Sequence, residues 1–464
     1  MLNRSLVVTL AGVLSSAAAV GFLAAQPALG DPTDPNMLAF TNASGQMQTF
    51  NSHGAIHQNH PFFQDLGRNG RRCVTCHEPE TAWTITPDLV QRRFDESQGT
   101  DALFRNNDGS NCEGALPGTL DESRIAYSLL LRRGLIRVGL DVPDNAEFTI
   151  EEVNDPYGCV FATNDISVYR RPLPTANVRF ISAVMWDGRE SLDASTIRED
   201  LMRQANSATR GHAEALADLT VEQAGQIADL QFGLHSAQIR DNGSGKLVTG
   251  GAKGGASHLS RERFFIGIND PVGLNPSGEP FTTRAFTLFD EWMKGKDTEI
   301  DGYRQSIARG QEIFNTKPIT LAGVSGLNGQ TFASGVTVPE SLSGTCTVCH
   351  DTPNVGNHSV KAPLNIGLDN PSEAPYLPVY TLRNLETGQR VQTTDPGRAL
   401  ISGKWQDIGR FKGPTLRALA ARPPYFHNGS AATLEEVVDF YDRRFAIGLT
   451  AQEKADLVAF LKAL

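Results

Sequence analysis

Apolar positions near the C-terminus recur with helical spacing. Leu434, Val437, Val438 and Tyr441 fall at i, i+3, i+4 and i+7, which places Tyr441 on an apolar helix face. Thr433-Leu434-Glu435-Glu436 has the form of a capping box and predicts where that helix opens. Thr450 and Glu453 make a second box, followed by the stripe Leu457, Phe460, Leu461 and Leu464 of a terminal helix. Upstream, Ile307, Gly310, Ile313 and Phe314 share one face and predict a helical domain beginning near Ile300. One stretch changes period. Ile136, Val138, Leu140 and Val142 alternate, and Phe148 and Ile150 follow a Pro-Asp-Asn turn. This predicts a small β-hairpin inserted in an otherwise mainly α fold. Residues 31–60 are polar and Pro-containing and read as an extended arm; 105–125 read as a turn-rich insertion. The Gly-rich stretch 242–257 reads as a flexible loop, and 321–345 as a loop of small polar residues.

The first thirty residues differ from the rest. Arg4 is the only charge before an apolar run from Leu6 to Ala25, and Ala28-Leu29-Gly30 supplies small residues for cleavage. That is the pattern of a secretory signal peptide over 1–30, and no later stretch approaches membrane-spanning length. The expected compartment is the periplasm. The remainder of the 464 residues is long enough for two domains with cores of their own. A net charge of −10 argues against a nucleic-acid binder.

Six cysteines change the picture most. Cys73-Val74-Thr75-Cys76-His77 and Cys346-Thr347-Val348-Cys349-His350 both have the CxxCH form, the attachment signature of c-type haem. Two thioethers tether the porphyrin, and the adjacent His77 or His350 is the proximal iron ligand. Cys pairs of one zinc site would lie far closer along the chain. Cys112 and Cys159 stand apart; they can pair in an oxidising compartment or remain two thiols. The occupant of each second axial position decides the chemistry. All six methionines, Met1, Met37, Met47, Met185, Met202 and Met293, precede the second motif. After His350 the candidates are His358, His427, Tyr425 and Tyr441, then Tyr376 and Tyr380.

The two CxxCH motifs, Met185-Trp186-Asp187-Gly188-Arg189, and the segment FKGPTLRALAARPPYFHNGSAATLEEVVDFY together resemble the bacterial dihaem cytochrome c peroxidase superfamily, which includes the MauG-type enzymes. The likeness covers roughly residues 60–98, 170–215 and 300–464, and leaves out the insertions at 99–165 and 215–260. It implies two cytochrome-c-like domains, a peroxide-reactive one over 61–298 and an electron-transfer one over 299–464, with two covalent haems. By position it implies that Trp186 relays electrons between the haems, and that Gln204 and Glu214 are the pocket amide and the acid/base group of the first. The spacing between Trp186 and Gln204 is about eight residues longer than the family's, and His212 is a second proton-transfer candidate. Where the peroxidases carry a Met ligand to the second haem, the matching position is Tyr441, as in the MauG-type branch. Backbone carbonyls of Arg422 and Pro424 match those that help hold an interdomain calcium. The Asn expected upstream of Pro174 is absent, since the chain reads Arg170-Arg171-Pro172-Leu173.

The resemblance implies reduction of hydrogen peroxide with electrons from a small redox protein, a c-type cytochrome or a cupredoxin. One alternative is a MauG-type enzyme that oxidises aromatic residues of a partner protein; another is a dihaem electron-transfer cytochrome without peroxide chemistry. All three require two tethered haems. A pyridine haemochrome assay on the purified protein is expected to give two per chain, and one or none would defeat every reading above.

Overall fold

The computed structural model describes residues 35–159, 164–295 and 299–464; the predicted signal peptide lies outside them. In the C-terminal part, the helices Glu299–Thr316, Leu434–Phe445 and Ala451–Lys462 pack on Phe286, Phe289 and Trp292 around a shared apolar core. Gly310 is required where the first of these crosses the last: a Cβ there would sit 2.0 Å from the Asp456 carbonyl oxygen. Arg309 closes the same crossing on the Asp456 carboxylate at 2.7 Å. The predicted helix starts are present. Thr450 and Glu453 form a reciprocal box, whereas Glu436 reaches past Thr433 to the backbone N–H of Ala432. In the first part, Ile197–Gly211 and Val221–Gly233 are the paired helices, each opened by a capping box.

The fold holds more β structure than the apolar pattern predicts, in four small antiparallel sheets among the described residues. The expected N-terminal arm is a hairpin, Met37–Asn42 with Gly45–Asn51, whose second strand pairs with Leu234–Asp241. Its period-2 burial was hidden because buried Thr49 and Asn51 are polar. The predicted 136–150 hairpin does not form. Ile136–Asp141 pairs instead with Asp165–Arg170, and Phe148–Asn154 pairs with Val379–Asn384 of the C-terminal part. The reason is apolar burial: Phe148, Ile166, Val168, Tyr380 and Leu382 complete one core that a local hairpin would leave open. Within the predicted polar loop, Ser341–Gly344 pairs with Ile319–Ala322. The Gly-rich stretch is pinned down as well, with Leu247 and Ala252 buried in the C-terminal core. Cys112 and Cys159 are joined in a disulfide.

One buried ion cluster ties the two parts together. Arg170 donates to Asp395 through Nε at 2.7 Å and Nη2 at 2.8 Å, and its Nη1 binds Asp187. All three side chains are almost wholly enclosed. Breaking such a pair leaves a charge buried without compensation, a loss of about 3–5 kcal/mol. Asp395→Asn is therefore expected to lower the stability of the haem-loaded protein by about that much, measured by denaturant melts. A change below about 1 kcal/mol would show that Asp187 alone satisfies Arg170.

Candidate active site

Each CxxCH motif is a tight turn that presents its histidine to a cavity. His77 Nδ1 lies 3.1 Å from the Trp83 carbonyl, and His350 Nδ1 lies 2.6 Å from the Gly356 carbonyl. In both cases the partner is the sixth residue onward. A carbonyl can only accept, so Nδ1 carries the proton and Nε2 keeps its lone pair for a metal. Enclosure lowers both imidazoles to about 4, so each stays neutral, the form that ligates.

Two cavities result, with empty space of about 1530 and 1720 Å³ when the open solvent at their mouths is included. Cys73, Cys76 and His77 line the first; Cys346, Cys349 and His350 line the second. They share a wall containing Arg171, Pro172, Pro174, Trp186, Lys412 and Pro414. Trp186 is held in that wall by Nε1–H donation to the Arg171 carbonyl at 2.8 Å.

The predicted site residues fall in different places. Gln204 and His212 line the first cavity. They share one face of the Ile197–Gly211 helix and its C-cap, with small Ala208 between them. His212 Nδ1 binds the buried Asp108 carboxylate, whose other oxygen binds Arg71. Asp108 and Arg71 were not foreseen; nothing in the turn-rich 105–125 segment marks Asp108 as facing a cavity. Glu214 is not among the lining residues. It sits in a left-handed turn (φ 56°) behind Ala213, and its carbonyl accepts from Arg68 Nε at 3.0 Å. Tyr441, His358, His427 and Tyr425 all line the second cavity, whereas Tyr376 and Tyr380 do not, and no Met does. The hydroxyls of Tyr425, Tyr376 and Tyr380 are spent on the carbonyls of Leu419, Asn428 and Ser167. The Tyr441 hydroxyl has no such partner among the described residues, and enclosure raises its pKa.

The shared wall is rich in cations. Arg171 is 5% exposed, and Lys412 and Arg422 line the second cavity. Enclosure pulls Arg171 down to about 9, Lys412 to about 8 and Arg422 to about 10. None of the three has a carboxylate among its hydrogen-bond partners. Arg171 is buried and Lys412 and Arg422 are half-buried; cations so enclosed need an anion, and haem propionates would supply it. The two cavities, their neutral histidines and these cations fit two c-type haems.

One of the two expected calcium ligands is already engaged. The Arg422 carbonyl accepts from Arg171 Nη2 at 3.3 Å, and the same guanidinium donates to the Ile85 and Arg133 carbonyls at 2.8 and 3.2 Å. Arg171 thus takes up the Arg422 carbonyl, one of the two expected to hold the metal. The Arg422 guanidinium lies close enough to lower Arg171 further, so a divalent ion would be a third positive centre.

Two CxxCH motifs on two cavities with one wall in common fit a protein that holds c-type haem. By sequence the chain is 27% identical over 312 residues to "Cytochrome-c peroxidase IdrP2" of Denitromonas iodatirespirans, spanning 64% of this chain and 68% of that one. It is 36% identical over 139 residues to "Cytochrome-c peroxidase IdrP1" of the same organism, spanning 26% of this chain and 36% of the relative. The match to the latter thus spans only about a third of its length. The solved structure of "a MauG-like protein associated with microbial copper homeostasis" aligns with TM-score 0.38 at 18% identity, over 87% of this chain and 85% of that one. No protein-family model matches the chain. By sequence the chain is thus a relative of proteins named cytochrome-c peroxidase. Among the described residues no helix is long and apolar enough to cross a membrane.

Because Arg171 occupies the Arg422 carbonyl, elemental analysis of the purified protein is expected to find no stoichiometric calcium, and a chelator should leave its haem spectrum unchanged. One tightly held calcium per chain would overturn this assignment.

Proposed function

We propose that this is a periplasmic dihaem peroxidase that reduces hydrogen peroxide at the haem held by His77. Electrons would come from a small redox protein, a c-type cytochrome or a cupredoxin, by way of the haem held by His350. The observation that carries this reading is the shared wall, with Trp186 bordering both cavities while only the first has an acid/base pair in its lining. When bound, the haems supply the two electrons that, with two protons, turn peroxide into two waters.

The protein's part is proton handling and positioning. Gln204 offers an amide to orient the peroxide. His212 exposes its Nε2 edge while Nδ1 is fixed on Asp108, so it can take a proton from one peroxide oxygen and return it to the departing one. Against the effect of burial, the neighbouring His212 ring and then the Arg71 guanidinium hold the Asp108 carboxyl below its usual range. The family position of the acid/base group, Glu214, stands one residue behind this wall. Two substitutions separate the candidates. His212→Gln is expected to slow the stopped-flow reaction with peroxide by roughly 10²–10⁴-fold, the usual loss for a positioned acid/base group, with Glu214→Gln affecting it less. The reverse ranking would return the role to Glu214. If the wild type does not react with peroxide at all, the electron-transfer reading replaces this one.

Tyr441 favours a second reading, a MauG-type enzyme that draws electrons from aromatic residues of a partner protein. A tyrosinate is a hard anionic donor that stabilises oxidised iron more than a neutral thioether does. Of the tyrosines considered, it is the one that lines the second cavity with its hydroxyl uncommitted. Tyr441→Phe is expected to change the ferric EPR spectrum of the second haem. An unaltered spectrum would leave Tyr441 as packing only.

A further inference from the structure

The two proximal histidines use the same device with different residues. Both donate Nδ1–H to the carbonyl of the residue six places on, and in both that residue has a left-handed backbone, φ 78° at Gly356 and φ 63° at Trp83. At Gly356 the choice is forced: a Cβ would meet Phe286 at 2.8 Å and Leu416 at 2.9 Å, and glycine adopts that φ freely. At Trp83 it is not economical. A bulky L residue resists positive φ, and its neighbour Ala82 is left-handed too, at φ 57°. Such strain persists only where the surroundings over-determine it.

Those surroundings can be named. The Trp83 side chain is fully buried, edge-on to Phe62 at 5.8 Å, and Phe62 in turn lies 6.5 Å from the His77 ring. Indole Nε1–H donates to Thr49 Oγ1 at 3.0 Å, and Thr49 shares a 2.6 Å hydroxyl bond with Ser236 on the paired strand. The Trp83 backbone N–H binds the Glu78 carbonyl at 2.8 Å, and the Thr175 N–H donates to the Trp83 carbonyl at 3.1 Å. A glycine could supply the carbonyl but could reach none of the side-chain anchors.

We propose that Trp83, anchored by Thr49, is the positioning residue for the proximal ligand of the first haem: the N-terminal sheet holds the strained turn whose carbonyl orients His77 and strengthens its donation to iron. This rests on the reading that His77 holds a haem, and on nothing about peroxide. A firmer Nδ1–H···O bond makes the imidazole more electron-rich, which tightens the iron–nitrogen bond and lowers the reduction potential.

The test uses the haem-loaded protein and three substitutions. Thr49→Val removes the indole's acceptor and keeps the shape; Thr49→Ser restores the hydroxyl; Trp83→Gly relieves the strain and removes the anchor. The readouts are the Fe–His stretching band in resonance Raman spectra of the reduced first haem, and the two reduction potentials by optical titration. Thr49→Val and Trp83→Gly are expected to lower the stretching frequency and raise the potential of the first haem alone, with Thr49→Ser near wild type. Wild-type band and potential in both Thr49→Val and Trp83→Gly would overturn the proposal, as would equal shifts at both haems. If Thr49→Val does not accumulate, Trp83→Gly alone decides by the same criteria. Fewer than two haems in the wild-type protein would instead defeat the haem reading, so the two failures are distinguishable.

Discussion

Arg170 carries two carboxylates in the interior, Asp187 from the turn after Trp186 and Asp395 from the C-terminal part. A guanidinium has donors enough for both in one plane, and in a dry setting neither carboxylate can be released without stranding the other charges. The consequence is positional. Asp187 follows Trp186 directly, so the ion cluster fixes the indole in the wall between the cavities, and the Trp186 carbonyl in turn accepts the backbone N–H of Lys412. The wall that joins the two cavities is set by electrostatics first and by packing second.

That wall is also where the protein concentrates charge it does not neutralise itself. Arg171, Lys412 and Arg422 meet with no carboxylate among their partners, beside an Arg170 whose charge is fully met. His427, 1% exposed and stacked at 3.9 Å on Phe411, leaves both ring nitrogens without a hydrogen bond. Burying polar groups this way is costly unless anions complete the set. Haem propionates would meet that need beside both cavities, and would add to the ion cluster that holds the two parts together.

Legibility in the sequence followed the kind of signal available. The CxxCH motifs and the capped C-terminal helices could be read because their chemistry is local, a spacing of a few residues. The sheets could not, because their pairings are distant. Phe148–Asn154 finds Val379–Asn384, and Gly45–Asn51 finds Leu234–Asp241, with Thr49 and Asn51 buried as polar side chains that mimic a surface pattern. The first cavity was half legible. Gln204 and Trp186 follow from position in the family and His212 from its nearness to Glu214, whereas Asp108 reaches His212 from a segment in which no periodicity points inward. Position in the family points to Glu214 as the acid/base group; its left-handed turn keeps it out of the cavity lining, in which His212 stands.

The asymmetry between the two haem sites follows from these long-range pairings. The second histidine is oriented by a loop of its own segment, through a glycine that costs no strain and carries no side chain. The first is oriented by a tryptophan whose indole is tied to a sheet built from both ends of the first part. A ligand held by its own loop depends little on distant structure. A ligand held through Trp83 and Thr49 responds to whether the N-terminal hairpin is in place. Iron–ligand strength at the first site is therefore coupled to the completed fold. The site proposed to meet the oxidant becomes electron-rich only once the N-terminal hairpin is in place.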